Sequence, residues 1–311
     1  MARLALLFSL FLRGSAALAP ALVGGDNLTL SDAKVQVVDK ADLPFCCMSY
    51  VHIGKTAGTT FEEAFSKKHV VNATTFHHPY SYFADHGLLQ PESLCLIGTT
   101  LRHPVSLFES RYWWCRDQKC ERKHQPRISC GFLFCDKGSY VDKVYSRHRG
   151  TYKTFLENPE DWPVGRNIQT RFLGPQHGEQ ISLTAEIVNA TDSDAGLEAL
   201  AHAKKHLDAF DVVLMYETLE ESYENILGIK LPSVKRASSK HRGNARGRRR
   251  LTESEGHRVE DLNQLDLDLW EHGMDVNKRQ LERGPDALRE NTRVVDVPGS
   301  GGKRQCLEPV R

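Results

Sequence analysis

Lys55-Thr56-Ala57-Gly58-Thr59-Thr60 brings a cation, a glycine and three hydroxyls together within six positions. Directly before it, Met48 to Ile53 is an apolar run that reads as a buried strand, and a helix is expected to begin near Thr59. A short loop opening on a helix leaves the first backbone N–H groups of that helix without intrahelical acceptors. Those donors and the helix dipole favour an anion, and Lys55 adds a mobile point charge. The chemistry these residues suit is the holding of a phosphate-like group. The segment is not a Walker A loop, because G-x-x-x-x-G-K-[ST] requires a glycine where Ser49 stands, five residues before Gly54.

A second stretch carries a further cation beside a strand end. Ser93 to Leu101 reads as a strand and runs into Arg102-His103-Pro104-Val105. Pro104 suits the first position of a helix, where its missing N–H is no loss. Ser110 lies eight residues after Arg102, about two helical turns on, and so returns toward the same side. The two segments together, Lys-Thr-x-Gly-Thr-Thr after one strand and Leu-Arg-x-Pro-Val after another, resemble the PAPS-dependent carbohydrate sulfotransferases of the Golgi. The likeness is to those acting on heparan sulfate at the 2-O and 6-O positions. Matches of type and order extend it from about Ser49 to Leu281, through Asn167 to Gly174, Ala199 to Ile226 and Leu262 to Glu271.

The resemblance implies an α/β fold, a P-loop-kinase-like parallel sheet flanked by helices. It implies a 5′-phosphosulfate held by Lys55, Thr56, Ala57, Gly58, Thr59 and Thr60, and a 3′-phosphate held by Arg102 and Ser110. Ser239 and Lys240, in a small basic loop, are further candidates for that phosphate. His103 stands where the family carries an aspartate, so the carboxylate that would orient Arg102 is missing. For the acceptor's proton, His77 and His78 occupy the place of the family's histidine base; both stay open, with His78 nearer the matching Ser81-Tyr82 and His86 a lesser alternative. Lys55 is the candidate for stabilising the departing phosphate. No metal is expected. Arg171 reads either as an acceptor contact or as a surface ion pair, Trp113 and Trp114 as packing under the insertion that follows them, and His52 as structural.

The chain of 311 residues fits one large domain, at 45–285, with a Cys-rich insertion at 115–135 and a basic loop at 233–255. Residues 1–24 read as a signal peptide or signal anchor, 25–44 as a stem, and 286–311 as a flexible tail on account of Pro298-Gly299-Ser300-Gly301-Gly302. The apolar run Leu4 to Leu12 is too short to span a bilayer, while the family is usually membrane-anchored, so anchoring stays open. Eight cysteines and sequons at Asn27, Asn72 and Asn189 fit an oxidising lumen, with disulfides favoured over zinc in the insertion. Adjacent Cys46 and Cys47 are unsuited to pairing with each other, and Cys95 reads as a free core thiol.

The net charge of +1 gives no global case for a polyanionic partner, and no nucleic-acid partner is expected. The cations of Lys235 to Arg250 read as a solvated loop or a sulfated-glycan contact. The expected partner is a glycan acceptor, and the expected location is the secretory pathway, in the Golgi lumen as a type II or secreted protein. Two other readings remain: a non-catalytic sulfated-glycan-binding protein on the same fold, and a P-loop kinase-like phosphotransferase. Against the latter stand Ser49 and the lack of a convincing strand ending in aspartate.

Overall fold

Three buried runs lie side by side in a sheet, in the order β4 (Val212–Met215), β3 (Leu96–Leu101) and β1 (Phe45–Val51). In β3 and β4 every residue is buried, as expected of parallel strands covered on both faces. Joining them are β2 (Val70–Phe76), β5 (Thr292–Asp296) and β6 (Gln305–Pro309). This computed structural model describes residues 40, 43–58, 60–61, 70–76, 95–117, 156–157, 166–174, 193–231, 249–297, 299–301 and 304–310. The helices among them are α1 (Pro104–Asp117), α2 (Ile168–Leu173), α3 (Asp194–Ala209), α4 (Leu219–Leu227), α5 (Glu253–Leu262) and α6 (Gln264–Glu290).

The sheet is mixed and mostly parallel. β1 pairs in parallel with β2 along its length, with β3 through Met48 to Val51, and with β6 at Phe45. β3 pairs in parallel with β4, and β5 pairs antiparallel with β6. From β1 the chain therefore goes to β2, its neighbour, then returns to place β3 beside β1. In such sheets ligands bind outside the carboxyl ends of the strands where the order reverses, here between β1 and β3.

Alternation along β4 divides the core. Val212 and Leu214 face a cluster with Tyr50, Phe61, Tyr223 and Ile226, while Val213 and Met215 face one with Leu101, Leu207, Leu265 and Leu269. α4 thus covers one face, and α3 with α6 the other. A Cβ on Gly273 of α6 would meet Leu101 Cδ1 at 2.3 Å, so the glycine permits close packing on β3.

The α/β class and the central elements match the sequence reading, with β1 starting earlier and β3 later than expected. Three expectations change. The C-terminal tail at 286–311 is not free: it holds β5 and β6, joined where Val297 N donates to Arg304 O and Ser300 N to Val297 O. The basic loop yields its last three residues to α5, which starts at Glu253 behind a Thr252–Glu255 capping box. Cys95 is no free thiol, since it bonds to Cys47, while Cys46 bonds to Cys306. Two disulfides fit an extracytoplasmic, oxidising environment. Among the described residues no helix is long and apolar enough to cross a membrane.

Candidate functional site

The loop after β1 is tightly wound. Thr56 donates both its N–H, at 3.2 Å, and its Oγ1, at 2.8 Å, to the Ile53 carbonyl. That closes a turn over Gly54 and Lys55 in which Lys55 has φ 74°, and Ala57 follows with φ 80°. Both are left-handed positions that normally go to glycine, costing about 1 kcal/mol or more each. Strain of this kind concentrates where backbone geometry serves a ligand. Helical backbone begins at Gly58, and its first bond runs from Phe61 N–H to Ala57 O at 3.0 Å. Phe61 is fully buried and stacks on Tyr50 of β1 with ring centroids 3.7 Å apart, which anchors the turn to the sheet.

Gly58 is required for a steric reason. A Cβ there would lie 1.8 Å from Nε2 of the buried His52 ring. The buried His52 ring thus fills the space under Gly58 and forms the floor of the loop.

Arg102 leaves β3 beside this loop. Its Nη1 donates to the Lys55 carbonyl at 3.0 Å and its Nε to Ser106 Oγ at 2.7 Å. The guanidinium stacks on Tyr216, 3.8 Å from the ring centroid. Burial lowers its pKa, opposed by Tyr216, Glu217 and Glu109. Its backbone is held on both polar groups by Gln169, which accepts from Arg102 N at 2.9 Å and donates to Arg102 O at 2.8 Å. The loops after β1 and β3 are thus joined directly at the switch point.

A carboxylate close to Arg102 in the fold comes from Glu217, whose charge favours the charged guanidinium. Glu217, just after β4, accepts from His103 N at 2.9 Å, Ser106 Oγ at 3.3 Å and Trp270 Nε1 at 3.3 Å. His103 itself serves the start of α1: its Nδ1 accepts from Val105 N–H at 3.3 Å, and its ring sits edge-on to Trp270 at 4.7 Å.

Ser110 is half-buried on α1, but among the described residues no hydrogen bond joins it to Arg102. Ser106, one turn from Arg102, makes that contact, and the i, i+4 spacing was the available signal. Arg171 is not a surface pair: it is buried, with burial pulling its pKa down to about 10 against the opposing pull of Asp266. Trp113 is half-buried, edge-on to Tyr112 and packed against the cluster of Phe108 and Val259. Thr59, His77, His78, His86, Ser239 and Lys240 lie outside the described residues, as do Cys120, Cys130 and Cys135. Among the described residues no group of three His, Cys, Asp or Glu side chains is arranged to hold a metal.

The sequence signals missed Gln169, Glu217 and Tyr216, which act on Arg102 from distances of 67 residues or more along the chain. A strained turn at a helix start, a lysine and a stacked arginine within one hydrogen bond of that turn are suited to bind an oxyanion. Compared with known proteins, the chain matches no protein-family model and no curated protein.

Proposed function

We propose that this protein is a carbohydrate sulfotransferase of the secretory pathway, working in the Golgi lumen on a sulfotransferase-type fold. The observation that carries the reading is the Arg102 Nη1 bond to the Lys55 carbonyl, which joins the two resembling motifs at one sheet edge. The donor set fits the two anionic ends of PAPS: Lys55 with the turn amides for the phosphosulfate, and Arg102 for the 3′-phosphate. Thr56 keeps the turn closed, and Ser110 stands one turn beyond the observed Arg102 partner. Bound PAPS supplies the sulfuryl group.

In this reading His78 or His77 accepts the proton of a glycan hydroxyl as its oxygen bonds to sulfur. The bond from sulfur to the 5′-phosphate oxygen breaks, and Lys55 with the loop amides stabilises the charge that gathers on the departing phosphate. Products are the sulfated glycan and adenosine 3′,5′-bisphosphate. The test is transfer of radiolabelled sulfuryl groups from PAPS to a panel of desulfated glycosaminoglycans. Wild type should label a glycan, and Lys55→Ala should reduce the rate by about a hundredfold or more, the usual scale for an oxyanion-stabilising group. Tight binding of adenosine 3′,5′-bisphosphate without transfer would leave the fold reading standing and direct the search to another acceptor, and neither transfer nor nucleotide binding would exclude the sulfotransferase reading and favour the glycan-binding alternative.

A further inference from the structure

Gln169 is fully buried, and its side chain gives both its carbonyl and its amide to the backbone of one residue, Arg102. It thereby extends the hydrogen-bond ladder one step past the end of β3. Its own backbone is held in turn: Asp266 of α6 accepts from Gln169 N at 3.1 Å and from Thr170 N at 2.7 Å. Asn167 and Asn263 close the same junction, with Asn167 N donating to Asn263 Oδ1 at 3.0 Å and Asp266 N donating to Asn167 Oδ1 at 3.2 Å. A continuous chain of bonds runs from α6 through α2 to Arg102, and from its guanidinium to the Lys55 carbonyl.

A residue that leaves a strand is free to rotate, and its guanidinium sits at the end of a long lever. Productive contacts tolerate roughly 0.5 Å and 10–20°. Clamping both backbone groups of Arg102 removes that rotation at its source, which a contact to the side chain would not.

We propose that Gln169 is a positioning residue for an anion contact made by Arg102, with Asp266 fixing Gln169. This rests on the reading of Arg102 as a phosphate ligand. Gln169 touches no ligand in this scheme and acts through Arg102 alone.

The test is calorimetric titration of the purified chain with adenosine 3′,5′-bisphosphate, for wild type, Arg102→Ala, Gln169→Leu, the double variant and Gln169→Glu. Thermal unfolding is recorded for each. Gln169→Leu is expected to weaken binding by about tenfold, and by less than about twofold once Arg102 is alanine, since a residue acting through another loses its effect with that partner. Gln169→Glu provides a rescue that packing cannot mimic. Its carboxylate keeps the acceptor for Arg102 N but turns an acceptor toward Arg102 O, and protonation restores the donor. Its affinity should therefore rise relative to wild type as pH falls from about 8 toward 5.

An equal loss from Gln169→Leu with and without Arg102 would overturn the proposal, as would full affinity in Gln169→Leu when Arg102→Ala has lost it. Unaltered binding in Arg102→Ala would overturn it too, while leaving nucleotide binding in place. If Gln169→Leu does not fold, a flat pH dependence in Gln169→Glu is the overturning result. Wild type that binds no nucleotide would overturn the functional reading and this proposal together.

Discussion

Individual residues in this protein are set in positions that ordinary propensity would not choose, and each has a measurable consequence. Gly58 is needed because His52 occupies the space of a side chain. Gly58→Ala should cost about 1–3 kcal/mol, the scale of overpacking, and a urea melt should show the midpoint falling with its slope unchanged. Arg111 behaves differently. It is buried on α1, and its Nη1 has no hydrogen-bond partner among the described residues. Desolvation, then the nearby Arg171, pull its pKa down to about 10, with Asp266 opposing. The unfolded chain therefore holds this proton more tightly than the folded one. Below pH of about 10 the buried cation weakens the fold, and the deficit shrinks as pH rises above that value. Arg111→Met should leave stability unchanged or raise it by about 1–3 kcal/mol at neutral pH, with the gap to wild type narrowing above about pH 10. A clear loss of stability in Arg111→Met at neutral pH would show that its charge or its packing supports the fold.

At the scale of elements, β4, outermost among the described strands, poses the problem of backbone groups left over by the sheet. α6 solves it with two amide side chains. Gln280 accepts from Val213 N at 2.8 Å and donates to Phe210 O at 3.1 Å, while Asn277 donates to Val213 O at 2.7 Å. These bonds occupy backbone groups of Phe210 and Val213 that would otherwise be open to another chain. Gln280→Leu would bury two unmatched backbone groups and should cost about 2–4 kcal/mol by chemical denaturation. A change below about 0.5 kcal/mol would mean that water reaches the edge. The same device, an amide side chain standing in for a missing strand, recurs where Gln169 meets Arg102. α6 is thus a template twice over, for β4 directly and for the arginine loop through Asp266 and α2. α4 and α5 are locally determined by contrast, ended by the left-handed Gly228 and begun by the Thr252 capping box.

For the whole molecule, the last of the described strands returns to the first. Leu307 pairs with Phe45, Leu307 N donates to Pro44 O at 2.8 Å, and Cys306 is bonded to Cys46 across 260 residues. Removing residues after Glu290 should lower stability by about 3–5 kcal/mol, the range for losing a disulfide that closes a long loop, while Cys306→Ser should lose most of that with the strand still present. Equal melting temperatures for the truncated and full-length chains would show that β5 and β6 add nothing to the fold. The sequence alone determined what depends on neighbours within a few residues. The apolar runs of β1 and β3, the proline at the start of α1 and the Lys-Thr-Ala-Gly loop after a strand are local patterns that pointed to an anion-suited loop, and the family they resemble implied an α/β sheet. Tertiary structure decided the partners: Gln169, Tyr216 and Glu217 around Arg102, Cys47 for Cys95, and β6 for a segment whose glycines suggested a loose tail. Composition and periodicity record which surfaces must be buried. They do not record which distant backbone groups will face one another once the strands are ordered, and hydrogen-bond and disulfide partners are set by that ordering.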